Sequence, residues 1–542
     1  MNKRVSIVLL VVISLYLFFF GLGKMALTDP DEPFYAETAR EMMQKNEWVT
    51  PLIFDKPQFE KPPLYYWLTM VSYKIFGVNE FAARFPSALF GMLGVIAVYL
   101  FGTFLFSRKA GLFSSLILMT SFEYLLLARA CVTDMLLCVL ILYALFFFFY
   151  GHHKDKRVFY YFSAACLGLA VLTKGPIGII LPAAIVFSYL LLSKNLKTLI
   201  KIPYLKAGIV FLIIAAPWYY LMYKTHGVSF LDHFFGFQNV VRYMHPEHKI
   251  GDVFYYYFPV VFLGVLPWSF FLPENILVVF KYDSEKNRNY LFLLIWIAIF
   301  FVFFSFSRTK LPTYIFPIFP ALALIIGRYW QIKTEKAVFN NFFAVLGFFY
   351  LISIPVGMAV GFLVSVSKYK FLMQPVINGA MLLMIPYVLS LFYFYRRDIT
   401  KFFISIIVTM MACIIPLVFY FAPVIDKYES SKNVVSFLNN IAAENEQIGA
   451  ETDYRRGVAF YLKNEDVIDV HKHHIITQFL NKKERVWCII KDKNHVQLYT
   501  DSRTPYDKPT YVVYKYGKKV IITNIFPEGI EYIKIRSKSD PY

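Results

Sequence analysis

The sequence predicts a polytopic α-helical membrane protein with helices lying along the membrane surface and a soluble α/β domain at its C-terminal end. Three observations carry this. The 542 residues are 58% hydrophobic and 19% aromatic, far outside the range of a soluble domain. Apolar runs of about 20 residues, enough to cross a hydrocarbon core of roughly 30 Å, recur from Val5 to Pro423 and give about thirteen spans. After Pro423 the composition turns polar and mixed.

Taken in order, the run Val5 to Leu22 follows Lys3 and Arg4 as a signal peptide would. No small-residue cleavage site precedes Lys24, so a retained helix is expected. Short basic loops fall at every second crossing: Arg108-Lys109, His152 to Arg157, Lys194 to Lys206, Lys281 to Arg288, Lys333 to Lys336 and Arg396-Arg397. The positive-inside rule places them and the N-terminus in the cytoplasm. Six polar clusters then face outward: Asp29 to Glu32, Glu60 to Pro63, Arg129 to Asp134, Lys174 to Pro176, His245 to His248 and Arg308 to Pro312. The tail faces outward too.

The first outer segment, residues 24–79, is patterned. Tyr35, Ala39 and Met42 at helical spacing predict a surface helix over Pro33 to Asn46. Leu64, Trp67, Leu68, Val71 and Ile75 predict a second over Pro63 to Phe76, with Tyr65 and Tyr66 at the interface. A second long outer segment spans residues 223–252. In the tail, residues 424–542, strands are expected over Gln447 to Thr452, Val467 to Val470, Arg485 to Lys491, Thr510 to Tyr516 and Lys519 to Asn524. Helices are expected over Ser431 to Glu444 and Arg455 to Leu462.

Several classes are excluded. The net charge of +19 is spread over span-flanking loops, where topology and anionic lipid explain it without nucleic acid. The chain carries no P-loop, no dinucleotide-binding glycine motif and no short repeat. The five cysteines read as buried, inert thiols rather than a disulfide framework.

The clusters carry the chemistry. Asp29, Asp31 and Glu32 precede a helix, where they cap it or act on an incoming nucleophile. Glu60-Lys-Pro-Pro63 presents an acceptor and a cation in a rigid turn: Lys61 suits a phosphate and Glu60 a divalent metal such as Zn, Mg or Mn. Asp134, at the mouth of an apolar span, requires a partner, and Arg129 is the nearest in sequence. Lys174 and Lys310 open proline turns at span ends, snorkelling to headgroups or binding a phosphate leaving group. His248 and His245, three apart, suit a metal if a carboxylate such as Glu60 joins them.

As a set, these residues resemble the GT-C membrane glycosyltransferases of the aminoarabinose (lipid A) transferase and protein O-mannosyltransferase superfamily. The run comprises Asp31-Glu32, Tyr35 to Arg40, Glu60 to Pro63, Arg84 to Ser87, Thr133-Asp134, Lys174 to Pro176 and Lys310 to Pro312, then Tyr314 and Pro317. The resemblance implies a GT-C fold with thirteen spans. It implies transfer of a sugar from a polyprenyl-phosphate donor to lipid A or a related glycolipid, at the periplasmic face of the bacterial inner membrane and without a nucleotide cofactor. It makes Asp31 and Asp134, with Glu32, the catalytic acids. Lys61, Lys174, Lys310, Tyr35 and Arg84 become donor contacts, and Glu60 with His248 or His245 the metal ligands. Phe34 stands where aminoarabinose transferases tend to carry arginine, which leaves the sugar open. Two alternatives are Ser or Thr acceptors on exported protein and, from another class, a lipid or sugar flippase.

Overall fold

The computed structural model describes residues 2–241, 244, 253–275, 277, 287–337, 339–367, 370–443, 445–462, 466–495 and 510–527. Nine helices order the first part of the chain: α1 (Lys3–Ser14), α2 (Asp31–Gln44), α3 (Leu64–Phe76), α4 (Glu80–Leu105), α5 (Arg108–Thr120), α6 (Phe122–Ala128), α7 (Asp134–Lys154), α8 (Val158–Lys174) and α9 (Ile177–Leu192).

Among the described residues, eight helices are long and apolar enough to cross a membrane, or ten if each of two bent pairs is one span. This count leaves the thirteen expected spans untested, and within the described residues several apolar runs are broken or short. α5 and α6 meet at 68°, Phe254–Gly264 and Trp268–Asn275 meet at 110°, and α8 and α9 have 17 and 16 residues. Sequence hydropathy sees the run and not the bend.

Local chemistry sets the boundaries. Pro62 and Pro63 lead into α3, and Gly77, at φ +76°, stops it. The Asn79 side chain accepts from Ala82 N to open α4. Gly175, at φ +84°, ends α8 and Pro176 starts α9. The positive φ is one that glycine adopts without a Cβ penalty, and it fixes Lys174 at the last position of α8.

The surface helices differ from expectation. α2 is buried on nearly all sides, including Glu37, Arg40 and Glu41, instead of lying with one face on lipid. Glu37 pairs with Arg40 at 2.5 Å, and Glu41 accepts from Phe54 N and Asp55 N. Buried charges need such partners. On α3 the expected stripe looks outward, with Val71 and Ile75 exposed, whereas Tyr65, Tyr66 and Tyr73 are fully enclosed. Those tyrosines belong to the interior and not to the membrane interface.

α2 is covered by the C-terminal part of the chain. The first outer segment holds two short antiparallel strands, β1 (Leu52–Ile53) and β2 (Lys56–Pro57). In the C-terminal part, β3 (Gln447–Ala450), β4 (Ile468–Asp469), β5 (Val486–Lys491), β6 (Tyr511–Tyr516) and β7 (Lys519–Thr523) form a mixed sheet in the order β4-β3-β5-β7-β6. β3 runs parallel to β4 and β5, with Gly449 opposite Cys488, while β7 is antiparallel to both neighbours. The strands fall within the expected segments. The helices Lys432–Leu438 and Thr452–Leu462 fall close to theirs, and His473–Leu480 is a helix the sequence reading omitted.

This unit is fastened to the first outer segment by direct bonds. Ala26 N donates to Asp426 Oδ1 (3.0 Å), Leu27 N to Tyr461 Oη (2.7 Å), Asp29 N to Glu429 O (2.7 Å) and Lys432 Nζ to Glu80 Oε1 (2.6 Å).

Candidate functional site

Asp134 opens α7 and Lys174 closes α8, two helices that pack along each other. Their ends meet, and Lys174 Nζ donates to Asp134 Oδ1 at 2.6 Å. Arg129, the sequence neighbour, is committed elsewhere: it donates to Leu17 O (2.9 Å) and Phe20 O (3.0 Å), closing the C-terminal end of the first helix. The expected partner of Asp134 is thus corrected from Arg129 to Lys174. The Lys174 ammonium also lies 5.3 Å from the centre of the Tyr314 ring.

A cavity of about 380 Å³ opens beside this pair. Its polar end carries Glu60, Lys61 and Lys174. Phe234, Phe235, Phe300, Phe303 and Phe304 line the rest, with Tyr314 and Gln238 between. The Pro62-Pro63 turn aims Glu60 and Lys61 inward, and Gln58 braces it by accepting from Glu60 N (3.0 Å) while donating to Tyr66 Oη (2.7 Å). Cationic heads at one end of an aromatic trough suit an amphiphile with an anionic headgroup.

Tyr35 connects this end to α2. Its ring packs against Tyr65 and Tyr66, with centroids 5.6 and 6.1 Å apart. Burial raises its phenol well above the ordinary value, and the carboxylates of Asp134, Glu60 and Asp31 raise it further. Asp31, Glu60, Asp134 and Tyr35 are therefore electrostatic neighbours although they come from three separate stretches of chain. Asp31 is the exposed member.

Glu32 and Arg84 have a different place. Arg84 forks onto Glu32 with contacts of 2.7 and 2.6 Å, and its remaining donors reach Leu22 O (3.1 Å) and Ala26 O (2.7 Å). Glu32 also accepts from Thr28 N (2.9 Å) and Cys131 N (2.8 Å). Burial pushes the Glu32 carboxyl up, but Arg84 and the two backbone donors outweigh it and hold the group below its usual range. Both side chains are enclosed and tie the first outer segment to α4 and to the turn before α7. Neither lines the cavity.

Lys310 is also buried, donating to Ser307 O at 2.7 Å. Its turn reaches the cavity through Ser307, Thr313 and Tyr314. His245 and His248 lie outside the described residues. Among the described residues, no three His, Cys, Asp or Glu side chains gather as a metal would require. Glu60 lines the cavity, and the histidines expected to join it at a metal are not among the described residues.

Residues the sequence reading passed over are Gln58 and Tyr66, which brace the turn, and the phenylalanines of the trough. Phe234 and Phe235 lie on the helical stretch Asp232–Val241, within the outer segment 223–252 in which the histidines are the local signal. The five cysteines are all free thiols.

Among the described residues, eight to ten helices long and apolar enough to cross a membrane, a covered first outer segment and a charged cluster at the helix ends make up a polytopic membrane architecture. The solved ArnT of Cupriavidus metallidurans bound to undecaprenyl phosphate superposes with a TM-score of 0.78, covering 97% of this chain and 99% of that one at 23% identity. The profile of the family described as dolichyl-phosphate-mannose-protein mannosyltransferase matches residues 60–221. An uncharacterized protein of Aquifex aeolicus is 34% identical over 341 residues, 63% of this chain. The undecaprenyl phosphate-alpha-4-amino-4-deoxy-L-arabinose arabinosyl transferase of Wigglesworthia glossinidia brevipalpis is 30% identical over 379 residues, 68% of this chain. The chain spans 66% of the length of each of these two relatives, just under two thirds. The chain shares the fold of the solved ArnT and is similar in sequence to the aminoarabinose transferases and, over residues 60–221, to the protein mannosyltransferases.

Proposed function

We propose that this protein transfers a sugar from a polyprenyl-phosphate donor to lipid A or a related envelope glycolipid at the outer face of the bacterial inner membrane, with the N-terminus cytoplasmic and residues 424–542 periplasmic. The observation that carries the reading is the cavity in which Lys61, Lys174 and Glu60 head an aromatic trough, with Asp134 holding Lys174. The polyprenyl chain lies along Phe300, Phe303 and Phe304, and the donor phosphate meets the two lysines. The acceptor oxygen attacks the anomeric carbon, the bond from that carbon to the phosphate oxygen breaks, and polyprenyl phosphate leaves with the electron pair. Lys61 and Lys174 receive the charge that grows on it. Asp31, the exposed carboxylate, orients the acceptor and takes its proton when the acceptor is a hydroxyl. The sugar carbon is inverted by this direct displacement. The donor is already activated as a phosphate ester, so the reaction needs no nucleotide. Glu32 and Arg84 hold the loop that carries Asp31.

The reading draws support from the Wigglesworthia relative and from the solved ArnT, whose names carry undecaprenyl phosphate. A second reading keeps the donor and moves the sugar to Ser or Thr of exported proteins, as the description of the family profile suggests. The deciding experiment reconstitutes the purified chain with a polyprenyl-phosphate-linked pentose and lipid A, followed by mass spectrometry. One added sugar residue per acceptor, lost in Asp134→Asn, supports transfer to lipid A. Sugar on added protein and none on lipid A favours the second reading, and movement of donor between leaflets without any transfer defeats both in favour of a flippase.

A further inference from the structure

We infer that Arg456, contributed by the C-terminal unit, is a specificity-determining residue that binds an anionic phosphate group on the acceptor glycolipid. This rests on the transferase reading above. The helix Thr452–Leu462 lies on α2 and presents one face to the first outer segment. Gly457 packs so closely on Asp29 that a Cβ there would collide with Asp29 Oδ1, Phe460 joins the main apolar core, and the Tyr461 hydroxyl receives Leu27 N. Arg456, on the same face, lies with its guanidinium carbon 4.6 Å from the centre of the Phe34 ring.

The cations around it are committed. Arg84 is paired with Glu32, Arg40 with Glu37, Lys432 with Glu80, Lys519 with Asp29 and Lys174 with Asp134, while Arg455 donates to Val467 O. Arg456 is different: it is half-buried, and among the described residues it has a ring contact and no hydrogen bond or ion pair. A guanidinium drawn to an aromatic ring spends no donor on that contact, so its planar fork stays available to grip phosphate with two parallel bonds.

Its position selects the acceptor over the donor. Phe34 contacts Tyr35 with ring centroids 5.1 Å apart, and the Arg456 charge acts on the Tyr66 phenol beside Tyr35. Arg456 thus reaches the reacting end from the C-terminal unit. The donor phosphate has its own cations, Lys61 and Lys174, on the cavity side. With the donor phosphate met by those two lysines, Arg456 is left for a phosphate near the acceptor oxygen.

The test measures equilibrium binding of lipid A, and of lipid A stripped of its phosphates, to the detergent-purified full chain, alongside sugar transfer to each. The wild type should bind the phosphorylated form at least about tenfold tighter. Arg456→Ala should erase that preference and raise the acceptor KM by a similar factor with the donor KM unchanged, and Arg456→Lys should restore part of it. A preference that survives in Arg456→Ala, or a rise in donor KM alone, overturns the inference. Absence of transfer to every acceptor by the wild type, with its binding preference present and erased in Arg456→Ala, would instead count against the proposed function and leave Arg456 as the phosphate contact. Unchanged thermal unfolding of Arg456→Ala separates lost recognition from lost folding.

Discussion

Replacing Lys174 with methionine keeps the length of the side chain and removes its charge, which separates two consequences. The ammonium lies 2.6 Å from Asp134 Oδ1, with the two side chains 17% and 12% exposed. In a medium of effective dielectric near 20 such a pair attracts by roughly 6 kcal/mol, but desolvation of both ions offsets most of that. The net cost to folding of losing a charge-assisted hydrogen bond is about 1.5–3 kcal/mol. In the proposed reaction the lysine has a second task, to meet the charge that appears on the departing phosphate. Losing one oriented group of that kind costs about 100- to 1,000-fold in kcat, or ~2.7–4 kcal/mol. Lys174→Met should therefore fold with modestly reduced stability and turn over about 100- to 1,000-fold more slowly. Single-turnover transfer from a radiolabelled polyprenyl-phosphate sugar, with thermal unfolding of the same preparations, reads both quantities. The double variant with Asp134→Asn should lose little more than the worse single variant, because the pair acts as a unit. A kcat within threefold of wild type, or single losses that multiply in the double variant, would refute the assignment.

Arg84→Met leaves Glu32 enclosed without its partner and should destabilise the chain by about 3–5 kcal/mol, seen as a lower unfolding temperature; unchanged stability would mean the fork is dispensable. Asp29 should make the fastening of the C-terminal unit pH-dependent. Burial raises its carboxyl to about 7 against the opposing pull of Lys519 and Ser431, so the folded state holds a proton that the unfolded chain gives up near pH 4. Its stabilising contribution is complete below about pH 4 and is lost as pH rises through about 7. Hydrogen exchange across Tyr428 to Ser431 should accelerate between pH 5 and pH 8 in the wild type and much less in Asp29→Asn; identical profiles would remove Asp29 as the cause. Phe304→Asn, in the trough wall, should raise the donor KM at least tenfold with smaller change in kcat, since burying an aromatic side chain against lipid is worth about 1.5–3 kcal/mol, and an unchanged KM would place the lipid chain elsewhere.

The features legible in the sequence are those written locally. Glu60-Lys61 is framed by two prolines, Lys174 by Gly175 and Pro176, and Asp134 stands at the mouth of an apolar span; each signal needs only a few consecutive residues. The strands of the C-terminal unit were readable for the same reason, through runs of β-branched and aromatic residues. What the sequence could not supply is the pairing across distance. Arg129 is five residues from Asp134, yet the partner is Lys174, because α7 and α8 run side by side and bring the start of one to the end of the other. Proximity along the chain says little about a helix hairpin closed at its far end.

The same reasoning separates Asp31 from Glu32. Adjacent residues at a helix start project about 100° apart, so a carboxylate pair that reads as one acidic motif divides into a side chain in the open and one turned into the protein. Glu32 points at a guanidinium 52 positions away, and no local pattern marks that meeting. α2 shows the effect at larger scale. Its polar residues predict a face exposed to water, and that face is covered by a helix that begins at Thr452. A residue such as Arg456 is invisible until that cover is in place, because its chemistry comes from lying over Phe34 and not from its own neighbours in sequence. The candidate site of this protein is accordingly built from two kinds of information. Short motifs supply the reactive groups, and long-range burial decides which of them remain free to react and which are consumed in holding the others in position.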